Sequence, residues 1–362
     1  MSLRSDVRLP AAAAAALFSL ALVTPGQAAS GPPVYTNYTA PAPLGQDAGE
    51  PTLGVNWNTG NVMFIAGLQT LRVTFNDAAT PATATWTDVS YPLTSLTTTD
   101  PILFTDPQTG RTFVSQLLGK TSLMAHTDDD GATWTPGMGS GINSGVDHQS
   151  VGGGPFAPGL LGGIGYPHTV YYCSQDIALA QCAVSLDGGL TFGLAVPIYT
   201  LLQCGGLHGH IKVAPDGTAY VPNKGCGNQQ GVAVSSNNGL TWTVRKIPGT
   251  VTTNSDPSAG VADDGTLYIG TVSNGRPVAA VSRDQGRTWS APVDVGAPFA
   301  IRNAVFPAVV AGDPDRAAFA FLGTPASGDG TSESPTFAGV WHLYIATTYD
   351  GGTTWTTIDA TP

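Results

Sequence analysis

Apolar and polar residues alternate over short stretches of this chain, and each stretch ends at a turn sequence. In one unit the strand-like stretches cover 258–262, 267–271 and 278–282, and another begins at Thr288. Runs of this length between glycine-bearing turns predict antiparallel strands. Similar turns recur along the chain as Asn58-Thr59-Gly60-Asn61, Pro107-Gln108-Thr109-Gly110, Pro215-Asp216-Gly217-Thr218 and Asp263-Asp264-Gly265-Thr266. Little of the chain has a helical period, so the pattern predicts an all-β protein.

A second kind of turn has a fixed sequence, Ser/Thr-x-Asp/Asn-x-Gly-x-Thr-Trp/Phe. Its five copies cover 127–134, 185–192, 235–242, 282–289 and 348–355. A degenerate copy at 82–86 keeps only Thr85-Trp86. The six closing aromatic residues define a unit of roughly fifty residues, and a period of that length indicates a repeat architecture.

The residues of this turn have structural roles. An Asp or Asn at the third position accepts backbone N–H groups further round a hairpin turn. The glycine permits a positive φ, and the Trp or Phe supplies a large apolar anchor beneath the hairpin. We therefore interpret Asp129, Asp187, Asp284 and Asp350 as structural residues and not as catalytic ones.

These turns resemble the Asp-box, or bacterial neuraminidase, repeat of the sialidase superfamily. The resemblance covers about residues 50–362 and implies a β-propeller whose boxes join the third and fourth strands of each blade. Six units then predict a six-bladed β-propeller of four-stranded antiparallel blades. Both enzymes and non-catalytic binding proteins share this repeat.

The N-terminus has the pattern of an export signal. Arg4 and Arg8 precede an apolar run over 11–23, and Gly26-Gln27-Ala28 is a small-x-small cleavage sequence. The predicted domains are thus a signal peptide at 1–29, an extended segment at 30–49 and a propeller at 50–362. The apolar run is too short to favour a transmembrane span, so we expect a secreted, monomeric protein.

The charge limits the classes of binding partner, and the cysteine content indicates disulfide bonds. Charged residues make up 11% of the chain and the net charge is −11, which argues against a nucleic-acid partner. The resemblance to the sialidase superfamily implies a glycan or glycoconjugate as the partner. Four cysteines in an exported chain favour disulfides over metal ligands. Of three possible pairings, their places around the strands favour Cys173–Cys182 and Cys204–Cys226.

The strand directions determine which loops share an end of the propeller. The glycine turns and Asp boxes lie at one end, whereas the starts of the six first strands lie at the other. Those starts read Gly49-Glu50-Pro51, Thr99-Asp100-Pro101, Asp147-His148-Gln149, His208-Gly209-His210, Ser255-Asp256-Pro257 and Val305-Phe306-Pro307. Five of the six carry an acid or a histidine, which predicts a polar ring around the mouth of the central channel.

Two interpretations of this ring remain open. In the first, its residues cap the strand starts or bind a structural cation. In the second, they form a functional site. In the functional interpretation Glu50, Asp100 and Asp256 are catalytic, with Glu50 and Asp100 as an acid–base pair. The proposed substrate-binding residues are Asp147, His148, His208, His210, Arg276 and Arg302. Convergence of several acids is expected to raise at least one carboxyl pKa and so provide a general acid near neutral pH.

The resemblance also implies a chemistry that can be compared with these residues. Sialidases hold the sugar carboxylate with three arginines and pair a Tyr nucleophile with a Glu. The early stretch that normally supplies the first arginine is Gly49-Glu50-Pro51 here, and the only glutamates are Glu50 and Glu333. The candidate functions are therefore an exo-glycosidase, sialidase-like or acting on another sugar, and a non-catalytic propeller that binds a glycan or a protein. A metal site at Asp147, His148, His208 and His210 is a third alternative, although no cofactor is required.

Overall fold

The computed structural model describes residues 32–46, 49–139, 145, 147–159, 162–176, 179–328 and 336–361. The predicted signal peptide and Glu333 lie outside these residues. The chain divides into two compact units, Met1–Val34 and Tyr35–Pro362, and the fold belongs to the second. In the described part of the chain, no helix has the length and apolarity needed to cross a membrane.

The second unit is a six-bladed β-propeller. Each blade is a four-stranded antiparallel sheet whose strands follow one another in chain order, as predicted. The first strands of the blades are β1 (Thr52–Asn56), β5 (Pro101–Thr105), β9 (Asp147–Pro155), β13 (Lys212–Val213), β17 (Ser258–Val261) and β21 (Asn303–Ala311). Successive first strands contact one another, which places them around the central axis.

The remaining strands extend outward in each blade. The second strands are β2 (Asn61–Ala66), β6 (Thr112–Leu118), β10 (His168–Gln175), β14 (Ala219–Cys226), β18 (Leu267–Ser273) and β22 (Ala317–Thr324). The third strands are β3 (Gln69–Asn76), β7 (Thr121–Thr127), β11 (Ala180–Ser185), β15 (Gln229–Ser235), β19 (Arg276–Ser282) and β23 (His342–Thr348). The fourth strands are β4 (Thr83–Asp88), β8 (Thr135–Pro136), β12 (Val196–Pro197), β16 (Thr243–Ile247), β20 (Val293–Asp294) and β24 (Thr356–Asp359). One short 3₁₀ helix, Ala297–Phe299, precedes the sixth blade.

Several fourth strands are shorter than the sequence pattern suggests. In the fifth blade the expected start at Thr288 is replaced by the two-residue strand β20. There Ser290 donates its backbone N–H to the Val281 carbonyl and accepts the Val281 N–H on its hydroxyl at 3.0 Å. Because a side-chain oxygen replaces the backbone carbonyl, the regular ladder begins only after Pro292.

The core of the propeller lies between its blades. Five clusters of buried apolar side chains each join neighbouring sheets. The box aromatics pack at their edges: Trp242 lies edge-on to Tyr171 at 6.4 Å, and Trp355 lies edge-on to Tyr268 at 6.5 Å. The aromatic residue that closes each hairpin therefore also helps to hold adjacent blades together.

The five box turns share one hydrogen-bond pattern. In the fifth blade Asp284 accepts the backbone N–H of Thr288 at 2.8 Å and its hydroxyl at 2.7 Å, while Ser282 Oγ accepts the N–H of Gly286. Equivalent bonds form around Asp129, Asp187, Asn237 and Asp350. The bonds from Thr288 lower the pKa of Asp284 to about 2. Gly286 adopts a φ of 86°, which explains the glycine at this position.

Two disulfides connect the expected cysteines. Cys173 and Cys182 face each other across β10 and β11, and Cys204 is joined to Cys226 at the end of β14. The segment before the first blade also contacts the propeller: Tyr38 lies edge-on to Phe75 at 5.2 Å.

Candidate functional site

The starts of the first strands bring the predicted ring residues together. Glu50 and Asp100 lie next to β1 and β5, Asp147 opens β9, and His208 forms a β-bridge with Asn223 just before β13. Asp147 interacts electrostatically with Asp100, His148, His208 and Asp256, and His148 does so with His210. We call these seven residues, Glu50, Asp100, Asp147, His148, His208, His210 and Asp256, the channel-mouth ring.

The backbone is strained at three equivalent positions of this end. Glu50, His148 and Phe306 have φ values of 49°, 51° and 53°; the first two lie at the start of a first strand, and Phe306 lies at the register shift inside β21. Left-handed backbone at a residue other than glycine costs on the order of 1–2 kcal/mol. Such outliers cluster at sites where a side chain must be held in a particular direction. Two of the three present an ionisable group of the ring.

Glu50 and Asp100 form a hydrogen-bonded carboxyl pair. Asp100 is 7% exposed, whereas Glu50 is exposed. Burial, together with the hydrogen bond to Glu50 and the negative charge of Glu50, raises the pKa of Asp100 to about 9. Asp100 is therefore protonated at neutral pH, which agrees with the expected upward shift of one ring carboxyl.

The spacing of this pair differs from the expected glycosidase geometries. Retaining and inverting enzymes hold two carboxyl groups about 5–5.5 Å or 6.5–9.5 Å apart. Direct hydrogen bonding places Glu50 and Asp100 closer than either range. A glycosidase that uses this pair would therefore need a further carboxylate from another residue. Asp147 is exposed and interacts electrostatically with Asp100.

Asp100 also connects two blades. Its Oδ2 accepts the backbone N–H of Gln149 at 2.7 Å, and the Gln149 side-chain amide donates to the Asp100 carbonyl and, at 2.9 Å, to the Ser115 carbonyl. Ser115 in turn donates its hydroxyl to Gln149 Oε1 at 2.7 Å. Our sequence reasoning did not single out Gln149, although it directly follows Asp147-His148. The network fixes Asp100 relative to β9.

The three ring histidines pack edge to face. The rings of His148 and His208 are 5.2 Å apart, and those of His148 and His210 are 6.2 Å apart. Burial lowers the pKa of all three, to about 4 for His208 and about 3 for His210. At neutral pH they are therefore uncharged imidazoles, which accept a hydrogen bond or a metal ion through one nitrogen.

Asp256 is held between a lysine and a histidine. Lys224 Nζ lies 3.7 Å from Asp256 Oδ1, and His148 Nε2 lies 3.5 Å from Asp256 Oδ2. Burial raises the pKa of Asp256, and the Lys224 ammonium opposes that shift. Lys224 also donates to the Asn254 carbonyl at 3.2 Å. This lysine follows Asn223 near the end of β14, so its role depends on the fold and not on a local motif.

Lys212 is a further basic residue near the ring. It opens β13, two residues after His210, and its positive charge acts on that histidine. Burial lowers the pKa of Lys212. Its separation of two residues from His210 is the one local signal in the sequence for a basic residue beside the ring.

A cleft of about 440 Å³ lies beside the ring, and Lys224 lines it. Leu202, at its edge, is 98% exposed. The Cys204–Cys226 disulfide joins two of the lining segments. The cleft is lined by Leu201, Leu202, Gln203, Cys204, Gly205, Gly206, Lys224, Gly225, Gly227, Thr252, Thr253 and Asn254.

The two arginines predicted to bind substrate have different surroundings. Arg276 Nη1 pairs with Asp294 Oδ2 at 2.9 Å, on the outermost strand of its own blade. Arg302 is exposed at the start of the sixth blade. The connection from Thr324 to Gly339 falls partly outside the described residues. No arginine cluster for a sugar carboxylate is thus formed by Arg276 and Arg302.

Metal binding by the ring is limited by the arrangement of its side chains. Within the described ranges, no group of three or more His, Cys, Asp or Glu side chains is placed so that it could hold a metal ion. The structural cation considered from the sequence stays a prediction.

No family model matches the sequence, and no curated protein matches it. Among solved structures, a six-bladed fungal lectin from Aleuria aurantia is 13% identical with a TM-score of 0.49, covering 83% of this chain and 90% of that one. A putative exo-β-1,3-galactanase from Bifidobacterium bifidum S17 is 12% identical with a TM-score of 0.41, covering 68% and 87%. An ancestral GH74 enzyme is 14% identical with a TM-score of 0.48, covering 83% and 36%. At these identities and scores, the similarities assign no activity to the chain.

Proposed function

We propose that the protein is an exported, carbohydrate-active hydrolase whose acid–base group is the Glu50–Asp100 pair. The observation that carries the proposal is the protonated, buried Asp100 carboxyl hydrogen-bonded to the exposed Glu50 carboxyl. A carboxylic acid that keeps its proton at neutral pH is what protonation of a glycosidic oxygen requires. The two disulfides fit an oxidising compartment outside the cytosol.

Each ring residue has its own role in the proposed reaction. Glu50, as the exposed member of the pair, meets the leaving-group oxygen and passes on the proton shared with Asp100. Asp147, exposed on the next blade, is the carboxylate that activates a water molecule. The neutral histidines His148 and His210 accept hydrogen bonds from sugar hydroxyls. Asp256, initially also expected to be catalytic, is engaged by Lys224 and belongs to the histidine side of the ring.

Sialoside hydrolysis is the narrower form of this proposal, suggested by the repeats. Arg276 is paired with Asp294, and the ring contains carboxylates and imidazoles instead of an arginine triad. A carboxylate-rich ring repels an anionic sugar. We therefore expect neutral glycosides to be hydrolysed faster than sialosides.

A fluorogenic glycoside panel that includes sialosides tests the proposal. We expect turnover of at least one glycoside, and a loss of roughly 10²–10⁴-fold in kcat for Glu50→Gln and Asp100→Asn. Asp77→Asn is the matched control, because Asp77 is an exposed acid in the turn after β3, at the opposite end of the propeller. Absence of turnover across the panel, or full activity in both ring variants, would contradict the proposal.

The second candidate is a non-catalytic propeller that binds a glycan or a protein at the same end. The cleft beside Lys224 favours it, because this concave surface adjoins the ring and combines exposed leucines with amide and hydroxyl groups. Binding to immobilised glycans without turnover, weakened by substitutions in the cleft and unchanged by Asp100→Asn, is the result that supports this alternative.

A further inference from the structure

The cleft beside Lys224 is continuous with the channel-mouth ring. One lining segment, 204–206, leads within two residues to His208, and another, 252–254, leads within two residues to Asp256. Lys224 lines the cleft, and its Nζ lies 3.7 Å from Asp256 Oδ1. A ligand that occupies the ring can therefore extend into the cleft without crossing another wall.

His148 connects the acid pair to the cleft side of the ring. The charges of Glu50 and Lys224 both act on it, and its ring lies 5.2 Å from that of His208. The order across the mouth is thus the Glu50–Asp100 pair, the histidines, Lys224 and then the cleft. A ligand held by the histidines has the acid pair at one end and the cleft at the other.

The walls of the cleft are held in place by bonds within the protein. The Cys204–Cys226 disulfide joins one wall to the end of β14. On the other wall, Thr253 donates its backbone N–H to the Lys224 carbonyl at 3.3 Å, and Lys224 Nζ donates to the Asn254 carbonyl at 3.2 Å. A preformed cleft loses less conformational entropy when a ligand binds.

Two side-chain amides of the lining remain available to a ligand. Gln203 accepts the backbone N–H of Thr200 on its Oε1 at 2.9 Å, and its NH₂ group makes no hydrogen bond to the described residues. Asn254 is exposed, and among the described residues only its backbone carbonyl is hydrogen-bonded. Because an amide both donates and accepts, such groups are suited to sugar hydroxyls.

The rest of the lining favours a neutral ligand with an apolar face. Leu201 and Leu202 are 60% and 98% exposed, and they offer a surface for the C–H groups of a sugar ring. Lys224 is the one charged residue among those that line the cleft, and Asp256 lies beside its ammonium. The volume of about 440 Å³ lies in the range of roughly 300–1,000 Å³ that is usual for small-molecule sites.

We propose that the cleft is the subsite for a second sugar unit, on the non-reducing side of the unit whose bond is broken. This inference rests on the hydrolase proposal, in which Glu50 meets the leaving-group oxygen and the histidines hold the sugar. Since the cleft lies beyond the histidines and away from Glu50, the unit in it lies opposite the leaving group. The substrate class is therefore a neutral oligosaccharide with at least two units on the non-reducing side of the cleaved bond.

Paired fluorogenic glycosides test this subsite. The methylumbelliferyl glycosides of glucose, galactose and N-acetylglucosamine are compared with those of cellobiose, galactobiose and chitobiose. For the sugar that is accepted, we expect kcat/KM to be roughly tenfold or more higher with the disaccharide, which is the effect of one or two additional hydrogen bonds.

Gly205→Phe is the variant that fills the cleft. A Cβ added to Gly205 meets no atom within 4 Å, and its backbone has no positive φ, so the new side chain enters open space without strain. We expect the disaccharide preference to fall toward one. Gly312→Phe is the matched control, because a Cβ there also meets nothing within 4 Å and Gly312 lies in the turn after β21, at the opposite end of the propeller.

Asn254→Ala gives an independent measurement if Gly205→Phe does not fold. It removes the free amide and keeps the carbonyl that accepts from Lys224, so we expect kcat/KM for the disaccharide to fall roughly threefold to tenfold. Equal kcat/KM for monosaccharide and disaccharide glycosides in the wild type would overturn the subsite while the hydrolase proposal stands. A disaccharide preference that survives in every folded cleft variant would also overturn it. Absence of turnover with every glycoside would contradict the hydrolase proposal and, with it, the subsite.

Discussion

Asp100 Oδ2 accepts the backbone N–H of Gln149 across the junction of the second and third blades, at 2.7 Å. Other junctions are bridged two residues further along the repeat, by hydroxyl groups. Thr52 accepts from Leu103, Ser150 from Ile211 and Ser258 from Val309, at 2.8–2.9 Å. The side-chain acceptors at these four junctions are Thr52, Asp100, Ser150 and Ser258. Only Asp100 among them has a second oxygen that meets another carboxyl, so this residue combines a structural bond with ionisable chemistry.

Two substitutions of Asp100 separate these roles. Asp100→Asn retains an acceptor for the Gln149 N–H, so we expect lost turnover with nearly unchanged Tm. Asp100→Ala removes that acceptor and leaves a buried donor unpaired, which costs about 1–3 kcal/mol in the free energy of unfolding. Activity and thermal unfolding measured on both variants check this, and equal destabilisation by the two substitutions would contradict it.

The raised pKa of Asp100 gives a pH dependence of stability. The folded-state pKa is about 9, above the usual carboxyl value, so the unfolded chain releases this proton at lower pH than the folded chain does. The contribution of Asp100 to the stability of the folded state is complete below the unfolded-state pKa and is lost as pH rises toward 9. We expect the Tm of the wild-type protein to fall over this range relative to that of Asp100→Asn. Parallel Tm–pH curves for the two proteins would show that Asp100 titrates normally.

The box aspartates are expected to contribute through hydrogen bonds and not through charge. Asp187 accepts the Thr191 N–H at 2.9 Å, and Asn237 accepts the Thr241 N–H at 3.0 Å in the equivalent turn. Asp187→Asn should therefore change the free energy of unfolding little, whereas Asp187→Ala should cost about 1 kcal/mol. Chemical denaturation measures both, and a large effect of the Asn variant would indicate a role for the charge.

The disulfides are expected to stabilise the ring end of the propeller. Peptide mapping without reduction should recover Cys173 with Cys182 and Cys204 with Cys226. Replacing either pair by serine should cost about 2–4 kcal/mol, and slightly more for Cys204–Cys226, which closes the longer loop of 22 residues against 9. Differential scanning calorimetry compares the two double variants. Recovery of crossed pairs would contradict the blade geometry.

The repeat made much of the fold predictable. Five copies of one turn and a degenerate sixth copy, spaced about fifty residues apart, define six units. Strand-length apolar runs between glycine turns define four strands in each unit. Because antiparallel strands alternate direction, the same reasoning placed the first-strand starts at one end. It also predicted the disulfide partners Cys173–Cys182 and Cys204–Cys226. These features depend on local pattern and connectivity, which the sequence contains.

The details of the ring depended on distances between blades, which no local pattern encodes. Three contacts of the ring join residues that are far apart in the chain. They are the contact of Glu50 with Asp100, the hydrogen bond from Gln149 to Asp100, and the approach of Lys224 to Asp256. Burial then shifts the pKa of Asp100 upward and those of the histidines downward, because a group removed from water favours its neutral form. The sequence alone determined which residues reach the channel mouth; only the tertiary structure decided which of them contact one another and which are buried.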